Sequence, residues 1–133
     1  MKVNDPSVKA QVEACFVSYE EALMADDQAA LAAFFWDDPL TIRYGLGVNS
    51  YGHGEISAAR RARQAQPRTL ERTVITTHGA DFATADTEFT RTSSGRRGRQ
   101  TQTWVRRPEG WRVVSAHVSW FDEPEWAREE GAT

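Results

Sequence analysis

The stretch Gly98–Trp120, GRQTQTWVRRPEGWRVVSAHVSW, decides how this chain folds. Over Arg99–Arg107, Thr101, Thr103 and Val105 alternate with Gln100, Gln102 and Trp104. That two-residue period belongs to a strand, not a helix. Pro108-Glu109-Gly110 interrupts it as a hairpin turn. Trp111–Trp120 then resumes the alternation, with Val114, Ala116 and Val118 on one side and Val113, Ser115 and His117 on the other. Upstream, Thr69–His78 is rich in Thr, Val and Ile, as strands are, and Asp81–Thr92 carries Phe82 and Phe89 beyond a turn at Gly79. A polar loop, Ser93–Gly98, joins them to the hairpin. From Arg68 onward the chain reads as a four-strand antiparallel meander.

Before Arg68 the period is helical. Asp5 can cap free backbone N–H groups and Pro6 suits a first helical position. Val8, Val12, Cys15, Phe16, Tyr19, Ala22 and Leu23 follow at spacings of three and four, one apolar stripe running to about Ala25. Asp26-Asp27 caps a short second helix bearing Leu31, Phe34 and Phe35, which Trp36-Asp37-Asp38-Pro39 ends. Leu40–Arg43 is a short strand, and Gly45, Gly47 and Asn49 mark a turn region. Glu55–Ala65 is a third helix with Ile56, Ala59 and Arg63 on one face, closed by Pro67. Helices followed by a run of strands indicate an α+β fold. The expectation is a cone-shaped, curved antiparallel sheet packed by about three N-terminal helices, whose hollow is a natural ligand pocket. Residues 1–133 read as one domain, with flexible ends at 1–4 and about 124–133.

Composition narrows the classes of function. With 40% hydrophobic and 26% charged residues the chain is an ordinary globule. A net charge of -3 gives no basic face for nucleic acid. The arginine clusters at Arg60–Arg63 and Arg96–Arg99 read as solvated surface. The single cysteine, Cys15, excludes an internal disulfide and fits a reducing compartment. No apolar run approaches the roughly 18 residues a membrane span needs, and no apolar secretion segment opens the sequence, so a cytoplasmic protein is expected.

The residues that do not fit the plain pattern are Arg43 and Tyr19. Arg43 lies in a strand that should be half buried, and a desolvated, unpaired guanidinium costs several kcal/mol or more. It needs an anionic partner: either Asp37, Asp38 or Glu55, or a ligand. Tyr19 lies on the apolar stripe, so its hydroxyl needs an inner partner, either a backbone carbonyl or something in the hollow. Other chemistries are thinly represented. Asp81, Asp86 and Glu88 are the candidates for an isomerase-type general base, two of them near turns. His53, His78 and His117 lack metal-ligand spacing, so no metal or cofactor is expected. Cys15 on a buried face reads as a small hydrophobe. Trp104, Trp111 and Trp120 on neighbouring strands exceed what one face should absorb, which points to an outer sheet face packed on a second copy as a homodimer.

The order helix–helix–strand–helix–meander resembles the nuclear-transport-factor-2-like superfamily, with its SnoaL-like and cystatin-like α+β members. Four stretches, TIRYG at 41–45, NSYG at 49–52, GRQTQTWVRR at 98–107 and GWRVVSAHVSW at 110–120, are more specific. Together they resemble a family of bacterial proteins of nitrogen catabolism, which includes the 1,3-dicarboxyurea deamidase of cyanuric acid breakdown and HpxZ-like proteins of oxalurate catabolism. The resemblance implies a cofactor-free amidohydrolase for a small carboxylated amide or ureide, working beside an amidase partner. It also implies a catalytic pair at Tyr19 and Arg43. An arginine fork suits a planar carboxylate, and a guanidinium near a phenol favours the phenolate. Arg43 is then expected to anchor the substrate carboxylate, and Tyr19 to act as acid/base or to polarise the attacked carbonyl. Trp104, His117, Tyr44 and Tyr51 are the expected pocket walls. The alternatives are a small-acid-binding or accessory protein without chemistry, and a SnoaL-like isomerase or cyclase.

Overall fold

Helix α1 (Pro6–Met24) begins where its residue types place it. The Asp5 carboxylate accepts from the backbone N–H of Ser7 at 3.0 Å and of Val8 at 3.4 Å, closing two free donors of a first turn in which Pro6 has none to leave open. Its apolar stripe turns Val12, Phe16 and Tyr19 fully into the core. Each large side chain buried this way contributes about 1.5–3 kcal/mol. Helix α2 (Gln28–Phe34) is capped by Asp27, which accepts from Ala30 N–H at 3.1 Å. These assignments come from a computed structural model that describes residues 1–122, 124, 126 and 127.

Strands β1 (Ile42–Gly45) and β2 (Val48–Tyr51) form a hairpin whose turn uses Gly47 at φ 77°. Helix α3 (His53–Arg61) starts two residues before the expected Glu55 and ends earlier than expected. Gly52, at φ 89°, feeds the chain directly into the helix, a conformation closed to most side chains. Past Arg61 the chain peels away because the Asp26 carboxylate holds Ala65 N–H at 3.2 Å. Strands β3 (Arg68–His78), β4 (Phe82–Arg91), β5 (Arg97–Arg107) and β6 (Gly110–Trp120) form the meander.

The six strands lie in the order β2-β1-β6-β5-β4-β3. The sheet is mixed, not wholly antiparallel: β1 runs parallel to β6, with Arg43 beside Ala116. β1 enters the sheet from the helical layer, so no tight turn forces it antiparallel. Across the sheet Arg43, Ala116, Gln102, Ala85 and Ile75 are register neighbours on the inner face, where the helices pack.

A β-bulge corrects the expected facing of β6. Thr103 pairs with Ser115 but Trp104 pairs with Val113, leaving Val114 as the extra residue. Val113 and Trp111 therefore enter the core in place of Val114. The same shift removes the tryptophan argument for an apolar outer face. Trp104 and Trp111 are core residues, and Trp120 packs on Phe89 inside the sheet.

The N-terminal residues, expected to be a flexible end, run beside β3, with Asn4 N–H donating to Thr77 O at 3.0 Å and Gly79 N–H to Lys2 O at 2.8 Å. The flexible end expected at about 124–133 falls largely outside the described residues. Among those residues no helix is long and apolar enough to cross a membrane.

Candidate functional site

Strand alternation fixes the direction of Arg43. With Ile42 and Tyr44 on the outer face, Arg43 and Gly45 face inward. Gly45 has a specific use here: a Cβ on it would overlap Nη1 of Arg43, so the guanidinium lies where a side chain would stand. It borders a cavity of about 340 Å³ between the helices and the inner sheet, near the lower end of the range that small-molecule sites occupy. Tyr19 from α1, Arg60 from α3, Arg63 from the segment after it, Arg68 from β3 and Arg91 from β4 line the same space.

These cations are held differently. Arg68 is committed: it forms a buried ion pair with Glu20, donates from Nη1 to Gln100 Oε1 at 2.9 Å, and stacks 4.6 Å from the Phe89 ring centre. Gly98 leaves room for that ring. Arg60 donates from Nη2 to the Tyr19 hydroxyl at 2.8 Å and lies over Phe35 at 5.4 Å. Arg91 rests on Trp120 at 4.8 Å. Among the described residues, no carboxylate comes within ion-pair distance of Arg43, Arg60, Arg63 or Arg91. Among the described residues the buried Nε atoms of Arg43 and Arg60 have no hydrogen-bond partner.

The site is therefore an electropositive hollow with unfilled donors. Burial first, and the neighbouring Arg60 charge second, push the Arg43 guanidinium down to about 10, which still leaves it charged at neutral pH. Arg91 is lowered for the same reasons, burial and then Arg63. Burial alone would raise the Tyr19 phenol, but Arg60, Arg43 and Arg68 together outweigh it and hold the phenol below its ordinary range. Such an arrangement favours an anion that supplies the missing acceptors.

The expected partners of Arg43 are engaged elsewhere. Asp37 sits 3.6 Å from the His53 ring, Asp38 accepts from Leu40 N–H, and Glu55 accepts from Tyr51 N–H at 3.0 Å. Tyr19 meets a guanidinium where a backbone carbonyl was the alternative. The structure thus brings Tyr19 and Arg43 to one cavity. Trp104 does not line it but stands behind Tyr19, its ring edge-on at 6.5 Å.

Tyr44, Tyr51 and His117, expected as pocket walls, lie on the other side of the sheet. Turning Arg43 and Ala116 inward turns Tyr44 and His117 outward, where their rings meet at 5.5 Å. Tyr44 and Tyr51 share a hydroxyl–hydroxyl hydrogen bond of 3.0 Å there.

Arg60, expected as solvated surface, is half-buried against the cavity, whereas Arg63 is exposed as expected and borders the cavity from its rim. One signal of the arginine cluster lies in the sequence and a second only in the strand register. Their three-residue spacing would put Arg60 and Arg63 on one helix face, although the helix ends at Arg61 and Arg63 reaches the cavity from the segment after it. Arg68 and Arg91 are also direct cross-strand partners, a like-charge pairing that disfavours a sheet unless something negative lies near.

The isomerase-type carboxylates do not enter the cavity: Asp81 pairs with Arg106 at 2.8 Å, and Asp86 accepts from the Thr101 hydroxyl at 2.7 Å on the outer face, where Glu88 also lies. The Cys15 thiol is raised by burial, the opposite of activation. Among the described residues no group of His, Cys, Asp and Glu is placed to hold a metal ion.

The chain is similar to several solved structures. A protein of unknown function of the DUF3225 family from Pectobacterium atrosepticum is 54% identical, with 90% of this chain and 95% of that one covered and a TM-score of 0.87. A cystatin-like fold protein from Burkholderia xenovorans is 48% identical over 93% of this chain and 99% of that one, with a TM-score of 0.89. A nuclear-transport-factor-2-like superfamily protein from Salmonella enterica, 22% identical over 88% and 93% of the two chains, has a TM-score of 0.72 and shares the fold. No curated protein matches the sequence. The family model described as AtzH-like matches residues 1–124.

Proposed function

The chain belongs to the AtzH-like family, and on that premise we propose that its cavity takes a small carboxylated amide or ureide and hydrolyses a C–N bond in it. Compounds of the class of 1,3-dicarboxyurea or oxalurate fit the description. The observation that carries this reading is the half-buried Arg43, its Nε shielded from solvent and without a counter-charge among the described residues, in one cavity with Tyr19. A carboxylate offers two coplanar acceptors to the fork of Arg43. With that end anchored, the substrate carbonyl lies within the reach of Tyr19. Water adds to the carbonyl carbon, the O–H of Tyr19 and the nearby guanidiniums stabilise the developing oxyanion, and the C–N bond breaks as the leaving nitrogen takes up the proton that the added water gives up.

A second reading, a small-acid binder or an accessory to a partner amidase, is favoured by one observation: among the described residues Asp26 is the one carboxylate bordering the cavity and is engaged by Ala65 N–H, and no histidine borders it. Incubating the purified protein with 1,3-dicarboxyurea or oxalurate and assaying released ammonia separates the two. Turnover that vanishes in Tyr19→Phe supports hydrolysis. Tight binding without turnover in the wild type supports the binder. Failure to bind either compound, or any small dicarboxylate, removes both.

The proposal includes a homodimer through the outer sheet face, where Tyr51 and Val74 are exposed. Light scattering that gives a monomer at micromolar concentration overturns it.

A further inference from the structure

The Tyr19 oxygen carries one hydrogen bond among the described residues, and its direction is forced. A guanidinium has donors and no acceptor, so in the 2.8 Å contact Arg60 Nη2 donates and the phenol accepts. Among the described residues the phenol's own proton then has no acceptor, although the side chain is buried. A buried O–H left unmatched is costly, so its partner must come from the cavity it borders.

Arg60 is held firmly enough to impose this geometry. Its guanidinium lies over Phe35 at 5.4 Å and beside the Tyr19 ring at 6.0 Å. The helix that carries it is tied to α2 at both ends. His53 Nε2 meets Ala32 O at 2.8 Å, and Gln28 Nε2 donates to Arg60 O at 3.3 Å.

We propose that Arg60 is a positioning residue for Tyr19: by filling the acceptor side of the phenol oxygen, it turns the phenol proton into the cavity, toward a carbonyl or oxyanion held beside Arg43. Tyr19 thereby meets its ligand as a hydrogen-bond donor. The inference rests on reading the cavity as the place where ligand and Tyr19 meet, but its test needs no ligand.

The charges facing Tyr19 are Arg60 on α3, Arg43 on β1, Arg68 on β3 and Glu20 on its own helix. Removing the hydrogen bond should therefore be separable from removing charge alone. The test follows the phenolate absorbance of Tyr19 through an alkaline titration, taken as the difference between each protein and its Tyr19→Phe counterpart. Arg60→Gln is expected to move the midpoint upward by about one pH unit or more, tenfold in the ionisation constant. Arg43→Gln, which removes a charge facing Tyr19 without taking away a hydrogen bond to its hydroxyl, should move it clearly less. If Arg60→Gln does not fold, Arg60→Met carries the same comparison, since its thioether chain still covers Phe35.

An unchanged midpoint in a folded Arg60 variant overturns the proposal, and so does an equal shift in Arg43→Gln. In the protein with substrate, loss of kcat with little change in KM for Arg60→Gln supports it. Absence of any substrate would sink the hydrolytic reading and leave the titration result standing.

Discussion

Replacing Gly45 by alanine should disable the anion site without harming the fold. Gly45 does not have a left-handed φ, so alanine is conformationally acceptable there. In a strand the change leaves stability unchanged or raises it by about 0.5–1 kcal/mol. The new methyl, however, takes the place of the Arg43 guanidinium. Besides the overlap with Nη1 it would stand 3.2 Å from Cζ and 3.5 Å from Nη2. The guanidinium, as the end of a flexible side chain, swings aside and gives up at least one hydrogen bond of a two-bond carboxylate grip. A hydrogen bond to a charged group contributes about 1.5–3 kcal/mol. At about 1.4 kcal/mol per decade, affinity for a small dicarboxylate should fall roughly tenfold to a hundredfold. Calorimetric titration and thermal unfolding on the same preparation read both quantities. Affinity within about twofold of wild type would refute the placement of Arg43 as the anchor. A large fall in Tm would show instead that the backbone at Gly45 was misjudged.

The other expectations are more direct. A small dicarboxylate at about a hundred times its Kd should add about 2.7 kcal/mol to stability, which for a chain of this size raises Tm by roughly 10 °C, less as salt is added; no shift with any small dianion would argue against an anion site. Glu20→Gln should destabilise the protein by about 3–5 kcal/mol, because Arg68 stays buried beside Gln100 without its counter-charge, and urea unfolding measures this. Tyr19→Phe should keep the fold with a loss of about 1 kcal/mol, the Arg60 donor having lost its acceptor. Its deficit should also grow with pH. The folded protein holds the Tyr19 phenol below its ordinary value, so above the folded pKa the unfolded chain binds more protons and wild-type stability rises until pH passes about 10. A pH-independent difference between the two proteins would contradict that.

The architecture was legible because it is written in local periods. The Val12–Phe16–Tyr19 stripe, the Asp5 and Asp27 caps and the Pro108–Gly110 turn each act within a few residues, and each appears where its residue type requires. Arg43 and Tyr19 stood out because burial makes a charge or a hydroxyl costly wherever the fold puts it. The mistaken facings have one kind of cause. Whether Val113 or Val114 enters the core depends on a bulge opposite Trp104, and no local pattern announces an extra residue in a strand. The walls were misassigned because adjacency in sequence, as in Arg43-Tyr44, means opposite faces in a strand. The remaining arginines were missed because helix α3, the following loop and two strands supply them, and only the register of β3 on β4 brings Arg68 beside Arg91.

The crowding of guanidiniums around one hollow sets a bargain for anyone engineering this protein. Like charges without counter-ions strain the empty form, so neutralising Arg63 or Arg91 should harden the resting molecule against heat while blunting its hold on a guest. A library sorted only for heat resistance would drift toward variants that have silenced the cavity. Sorting in the presence of a saturating dianion would reverse that drift, because the guest then rewards every cation that the bare fold resents.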